Sequence, residues 1–363
     1  MKTNIYTKDV FEIANAGGVT PYQLGYYFPA EFSLHSATWL SWPHKEESWP
    51  GKIHIIFPAY AEFIKYVALG EEVHINVKDE AMKAFALGHL QSAGVEMGNV
   101  FFHFFPTNDA WCRDHGPAFL INRDAEQKKV LVKWDYNAWG DKYPPYDLDN
   151  QIPIKIAEFR NIPCFKPGIV MEGGSVEFNG KGTLLTSEAC LLNPNRNPNL
   201  SKKEIEQYLH GYYGVENILW LKDGIIGDDT DGHIDDLTRF VNEDTVVTVV
   251  EHDKSDENYA LLKENLEHLQ ELRLENGKQM KIIELPMPSP KYQDGQRLPA
   301  SYANFYIANH AVVVPTFQDK NDDKALEILT SCFPDRKVVG VNSLDLIWGL
   351  GSFHCLSQQE PLI

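Results

Sequence analysis

Thiols are scarce in this chain, cations are outnumbered, and long apolar runs are missing. Five cysteines (Cys112, Cys164, Cys190, Cys332 and Cys355) are scattered over 363 residues, odd in number and never in a CxxC pair. That pattern argues against a disulfide framework and against a zinc site. No stretch is apolar for long enough to span a bilayer, and the opening MKTNIYTKDVFEIANAGG lacks the apolar core of a signal peptide. The expectation is a reduced, cytoplasmic protein. Lys and Arg number 33 against 51 Asp and Glu, a net charge of −18. Nucleic acid and anionic membranes both require a basic face, so neither is expected as a partner. The acidic balance suits a cationic ligand, though a well-hydrated surface explains it equally.

What is present is an ordinary globular composition, 43% apolar and 23% charged, with enough chain to bury a full core. Helical and strand patterns interleave. The stretch 54–69 is amphipathic and leads to EEVHINV, and NYALLKENLEHLQELRL sets Leu262, Leu266 and Leu269 at helical spacing. Short β-rich runs lie at 100–105, 129–134, 245–250, 281–286 and 310–315, each bounded by turn residues. The class is therefore α/β.

Four polar clusters sit between the strand-like runs: WCRDHGP, MEGGS, DTDGHIDD and GSFHC. One residue from each, Asp114, Glu172, His233 and Cys355, gives separations of 58, 61 and 122. The doubled interval leaves a gap near 294, where SPKYQDGQRLP contains Asp294. Five units of about 60 residues imply a pseudo-symmetric five-part ring, so residues 1–363 are expected to form one domain. SATWLSW at 36–42 could pair with the last unit and close the ring, leaving no open sheet edge.

Each cluster alone has a plain explanation. DDTDGHIDDLTRF reads as a solvated acidic turn, or as a calcium-type loop lacking the usual ligand spacing and terminal Glu. It also reads as an acid–base site, with His233 and Asp235 on one side of an extended segment. Glu172 before two glycines reads as a surface carboxylate, and Arg113-Asp114 as an ion pair. Cys355 could be a core thiol, a disulfide half, a metal ligand or a nucleophile; His354 would point the opposite way along a strand. Taken together, the clusters supply one thiol, one imidazole and three carboxylates. An excess of carboxylates around a thiol and an imidazole implies a cationic substrate, and the natural cation with an attackable carbon is a guanidinium. Two carboxylates can grip its planar N–H fork, the bound cation favours the thiolate, and His can move protons.

At these residues the chain resembles the agmatine deiminases. WCRDHGP, MEGGS, LLNPNRNP, DTDGHIDD and FHCLSQQEP all match, as do PAEFSLHSATWLSWPHKEESWPG and NAWGDKYPPYDLD. The family is also labelled bacterial-type peptidylarginine deiminase and lies in the guanidino-modifying superfamily. The resemblance covers roughly residues 20–361. It implies a five-bladed α/β propeller of ββαβ units, no metal and no organic cofactor, and a homodimer. It implies Cys355 as nucleophile and His233 as general acid–base, with Glu172 hydrogen-bonded to His233. Asp114 and Asp235 would bind the guanidinium, and a covalent thiouronium intermediate would hydrolyse to a ureido product. GLGSFHC departs from the family's usual GGGNIHC at Leu350 and Ser352, which bears on the substrate more than on the chemistry. Cys112 also stands where a larger apolar residue is usual.

Agmatine is a guanidinium and an amine joined by four methylenes. Trp111 is expected to wall its pocket and Asp229 to meet its amine. Free arginine would need a cation for its carboxylate, for which Arg113, Arg196 and Arg239 are candidates. The leading expectation is hydrolysis of agmatine to N-carbamoylputrescine and ammonia. Deimination of peptidyl-arginine or free arginine to citrulline is the alternative. Outside that class stand a metal-dependent hydrolase using 228–236 and a non-catalytic binding propeller.

Overall fold

The computed structural model describes residues 9–363. Eighteen strands form five blades and one small hairpin. In chain order they are β1 His35–Ser41, β2 Glu72–Asn76, β3 Val100–His103, β4 Ala118–Ile121, β5 Lys129–Val132, β6 Cys164–Phe165, β7 Val176–Phe178, β8 Thr183–Ser187 and β9 Asn217–Leu221. They continue as β10 Thr238–Phe240, β11 Thr245–Val250, β12 Lys281–Pro286, β13 Tyr292–Gln293, β14 Gln296–Arg297, β15 Tyr306–Ile307, β16 Ala311–Thr316, β17 Lys337–Asn342 and β18 Ser357–Pro361. β4-β5-β6, β7-β8-β9, β10-β11-β12 and β15-β16-β17 each run antiparallel, then parallel. A helix makes every parallel crossover: Ile152–Arg160, Lys202–Tyr213, Asn258–Glu271 and Asp322–Cys332. The remaining blade, β18-β1-β2-β3, is closed by the end of the chain, with Thr38 opposite Gln359. The architecture is thus a five-bladed α/β propeller of ββαβ units, ring-closed by the segment expected to close it.

Local chemistry explains the elements. Strands covered on both faces carry continuous apolar runs, and β11, TVVTVV, is buried throughout. The helix Lys202–Tyr213 opens on a Ser201–Glu204 capping box and ends at Gly214 with φ 72°. Gly214 also presses on Tyr26 and Tyr27, where a Cβ would come within 2.6 Å of the Tyr26 carbonyl. β18, SQQEP, has no strand-like pattern, yet all five residues are buried. Its Glu360 carboxylate accepts hydrogen bonds from Trp39 Nε1, Lys129 Nζ and Arg160 Nε, so the strand is held by polar pairing rather than by apolar burial.

The blades' edge strands meet in a buried charge network. Arg239 of β10 donates to Glu177 of β7 at 2.8 Å and to Glu31 at 2.9 Å. Arg113 donates to Glu31 at 3.1 Å and to Gln359 of β18 at 2.7 Å. No described helix is long and apolar enough to cross a membrane.

Candidate active site

Five loops, each entering a blade's edge strand, converge above this network. They carry Trp111–Asp114 into β4, Glu172–Gly174 into β7, Asp228–Asp236 into β10, Ser301–Asn304 into β15 and Gly351–Cys355 into β18. The fourth is not the loop expected from the spacing. Asp294 is exposed, at the tip of the β13–β14 hairpin with φ 49°. Asn304 occupies the equivalent position, because an insertion carrying that hairpin lengthens the fourth unit.

Cys355 is 5% exposed, and its Sγ accepts from Asn304 Nδ2 at 3.0 Å and lies 3.7 Å from Asp235 Oδ2. His233 is fully buried. Its Nδ1 stands 3.8 Å from Asp114 Oδ1 and 4.0 Å from Asp235 Oδ1, and its Nε2 stands 3.9 Å from Glu172 Oε2. His233 and Asp235 do stand side by side, 4.0 Å apart, but on a 3-10 turn over Ile234–Asp236 rather than an extended segment. Nor is Asp228–Asp236 a solvated turn: its Asp235 and Asp236 carboxylates are buried, and Asp228 caps the loop by accepting from the backbone N–H of Thr230, Gly232 and His233. Glu172 is wholly buried, not a surface carboxylate. The expected Glu172–His233 hydrogen bond is too long at 3.9 Å to count as one. The other oxygen of Glu172 accepts from Arg196 Nε at 2.5 Å, which tethers the carboxylate.

Asp114 is held at both oxygens, by Trp139 Nε1 at 3.0 Å and by the Gly174 N–H at 2.9 Å. Asp235 is held by His354, whose Nδ1 lies 2.5 Å from Oδ2. His354 therefore does not point away from the site: residues 353–356 form a turn, not a strand. Asp235 Oδ1, Glu172 Oε2 and both His233 nitrogens are buried without hydrogen-bond partners. Buried polar atoms are costly unless paired; His233 Nε2 and Glu172 Oε2 face each other at 3.9 Å, whereas His233 Nδ1 and Asp235 Oδ1, 4.0 Å apart beside Asp114, are placed to meet a polar ligand. A Cβ on Gly174 would lie 2.5 Å from His233 Nδ1 and 3.0 Å from Asp114 Oδ1, so only glycine leaves that space open. A Cβ on Gly351 would lie 2.5 Å from Trp111 Cζ3, so this glycine lets the Cys355 turn pack against the indole.

The groups perturb one another. Burial lifts the Asp114 carboxyl to about 6, against the pull of His233 and with help from Asp235 and Glu172. Burial opposes charge on His233, but Asp114, then Cys190 and Glu172, raise it well above the usual histidine range. Burial would lift Glu172 and Asp235 too, yet Arg196 holds the first below its ordinary value and His354 the second. Burial, then Asp235, Asp236 and Asp114, push the Cys355 thiol well up. The resting site therefore pairs a protonated thiol with an imidazolium, inside a ring of carboxylates. Glu172, Cys190 and His233 also bring one potential metal-ligand atom each within 4.8 Å of one another, but Arg196 already neutralises that carboxylate.

A cavity of about 240 Å³ leads to Asp114 and Cys355. Trp111, Trp139, Tyr143 and Trp348 wall it, and Glu47, Asp109, Asp229 and Asp294 add carboxyl groups. Trp111, 4% exposed, stacks on Trp49 with centroids 5.1 Å apart. Asp229 lies on the lining with Tyr143 bonded to its Oδ2 and Lys142 Nζ 3.6 Å from its Oδ1. Of the seven expected site residues, Trp111, Asp114, Asp229 and Cys355 line the cavity, while His233 and Asp235 stand behind Asp114 and Cys355, with Glu172 behind His233. Among the described residues no lysine or arginine lines the cavity. Arg113, Arg196 and Arg239 are buried and committed to Glu31, Glu172 and Glu177, so the expected cation for a substrate carboxylate is not supplied by them. Asn304, Trp139 and Glu31 were not legible as site partners, and Arg196, a candidate for a substrate carboxylate, instead tethers Glu172. Asn304 could have been found by counting back from each edge strand instead of forward by 60.

Comparison with known proteins agrees with this arrangement. A family model described as Porphyromonas-type peptidyl-arginine deiminase matches residues 27–361. A Legionella pneumophila protein provisionally named agmatine deiminase is 39% identical over 347 residues, covering 94% of this chain and 96% of its own. The agmatine deiminase of Enterococcus faecalis superposes with a TM-score of 0.87 at 33% identity, over 95% of this chain and 98% of that one. A cysteine-to-serine variant of C. jejuni agmatine deiminase, solved with substrate bound, gives 0.83 at 33% identity, over 92% and 96%. With the blades, the converging loops and near full-length similarity in agreement, this chain belongs to the Porphyromonas-type peptidyl-arginine deiminase family.

Proposed function

We propose that the protein hydrolyses agmatine to N-carbamoylputrescine and ammonia. The observation that carries this reading is the cavity above Cys355, with aromatic walls, carboxylates at its mouth and no cation among its described lining residues. A guanidinium at the bottom and an ammonium at the mouth both find carboxylates, and the methylenes between them find rings. A free amino acid would bring a carboxylate into the same negative field.

Asp114 and Asp235 receive the guanidinium N–H groups and hold its carbon against Cys355 Sγ. The incoming cation offsets the carboxylates that keep the thiol protonated, so the thiolate forms on binding and its proton leaves to solvent. Sulfur attacks the guanidinium carbon to give a neutral tetrahedral adduct. His233 gives its proton to one NH₂ group; the C–N bond breaks, ammonia leaves and a thiouronium cation remains. Water then adds to that carbon as His233 takes its proton. The C–S bond breaks, the ureido product forms, and the hydroxyl proton returns to Cys355. Asn304 donates to the sulfur, and Glu172 balances the charge on His233.

The test incubates the protein with agmatine, arginine and an arginyl peptide and measures ureido product and ammonia. Agmatine is expected to be turned over fastest. No turnover of agmatine overturns the substrate, and turnover that survives Cys355→Ser overturns the mechanism.

A further inference from the structure

The loop ending at Cys355 places a second histidine beneath the site, which the chemistry above does not use. His354 Nδ1 lies 2.5 Å from Asp235 Oδ2, and its Nε2 lies 2.8 Å from Glu31 Oε2. The Glu31 carboxylate is itself fixed by Arg113 at 3.1 Å, Arg239 at 2.9 Å and the Ile307 N–H at 2.9 Å. All of these side chains are buried. The chain Glu31–His354–Asp235 therefore ends 3.7 Å from the Cys355 sulfur.

We propose that His354, braced by Glu31, is a positioning residue that decides which oxygen of Asp235 meets the substrate. This rests on the guanidino-hydrolase reading above. The imidazole ties down Oδ2, whereas Oδ1 is buried with no partner and faces His233. A carboxylate anchored at one oxygen and free at the other presents one acceptor in a fixed direction, so that Asp235 and Asp114 each meet one arm of the planar N–H fork. Both ring nitrogens face carboxylate oxygens, so the ring is fixed between Asp235 and Glu31 and cannot turn without losing a hydrogen bond. Asp114 and Asp236 add negative charge beside Asp235. The other charged groups around the ring are Arg113, which donates to the His354 carbonyl, and Glu177, Arg239 and the Cys355 thiol. His354 touches Asp235 and not the reacting atoms, so its effect passes through that carboxylate.

The experiment compares wild type with His354→Leu, His354→Asn and Glu31→Gln, using whichever of agmatine, arginine or an arginyl peptide the wild type hydrolyses. Failure of agmatine alone therefore leaves this test intact. If wild type hydrolyses none of them, both readings fall together. Leu removes every donor, and kcat/KM is expected to fall at least 50-fold, with KM carrying most of the loss. The acid limb of the kcat/KM profile, which Asp114 sets in the wild type, should move to higher pH, because burial lifts Asp235 past Asp114 once His354 no longer holds it down. Asn keeps one amide donor within reach of Oδ2 and should recover at least tenfold of the loss; Gln at 31 should shift the acid limb the same way by less. Should the Leu variant not fold, Asn and Glu31→Gln against wild type still decide through the acid limb. A folded His354→Leu with kcat/KM within threefold of wild type overturns the proposal. So does an unmoved acid limb in the folded variants, or a loss that Asn does not restore.

Discussion

Asn304 Nδ2 lies 3.0 Å from Cys355 Sγ and 3.0 Å from Asp236 Oδ1, so one amide bridges the thiol and a buried carboxyl group. The Cys355 N–H returns a bond to Asn304 Oδ1 at 3.3 Å, and the His354 N–H bonds the Asn304 carbonyl at the same distance. This fourth-blade loop is thereby stitched to the last one. A hydrogen bond to a charged group is worth about 1.5–3 kcal/mol, so Asn304→Ala should lower kcat by roughly ten- to a hundredfold. Asn304→Asp should cost more, since it adds a negative charge beside a thiol already pushed up by carboxylates. Steady-state kinetics with agmatine measures both; an Asp variant more active than the Ala variant contradicts the electrostatic account.

Gly174→Ala separates activity from stability. The added methyl would sit among His233 Nδ1, Asp114 Oδ1 and Asp235 Oδ2, at 2.5, 3.0 and 3.1 Å. Turnover should fall by about two orders of magnitude or more, the scale of misplacing reacting groups by an ångström. The Gly174 backbone lies outside the left-handed region, so the backbone is not strained, and the melting temperature should fall only by the few degrees that about 1–3 kcal/mol of overpacking gives. Activity within fivefold of wild type would show that this space is not where the guanidinium sits.

The pH dependence has two limbs with known signs. Asp114, lifted to about 6, is charged above that value and loses its grip on a cation as pH falls through it, so kcat/KM should drop on the acid side near 6. The thiol is held up, so an uncharged haloacetamide should alkylate the free enzyme slowly at neutral pH and faster as pH rises. A haloacetamidine carries its own cation and should react faster at neutral pH, protected by agmatine. Equal rates for the two reagents at neutral pH would remove the substrate-assisted thiolate.

Stability rests in part on the central charges. Arg239 is fully buried against Glu31 and Glu177 and also donates to the Ala303 and Phe305 carbonyls. Removing one partner of a buried pair costs about 3–5 kcal/mol because the other charge is stranded. Arg239→Ala should lose that much in a denaturant melt, and a loss below 1 kcal/mol would mean that water refills the site.

Much of the fold can be read from pattern alone. TVVTVV, KIIELP and the leucines of Asn258–Glu271 declare their periods, and the residues 245–250 and 281–286 are strands to the last position. SQQEP could not be read, because its burial is compensated by Trp39 of the adjoining strand and by Lys129 and Arg160 of another blade. Asp294 misled for a related reason: the spacing rule assumed equal units, whereas the inserted hairpin lengthens one interval and the next, which ends at Cys355, is correspondingly short.

The chain by itself determined the α/β class, the five-unit repeat and the inventory of thiol, imidazole and carboxylates, since all three lie in the order and type of residues. Tertiary structure alone decided how those groups are held. Whether Glu172 faces solvent, whether His354 points away and whether three arginines are free to meet a substrate depend on partners 24 to 323 residues distant. Local sequence carries no record of such pairs, because a buried charge is set by what closes over it rather than by its chain neighbours.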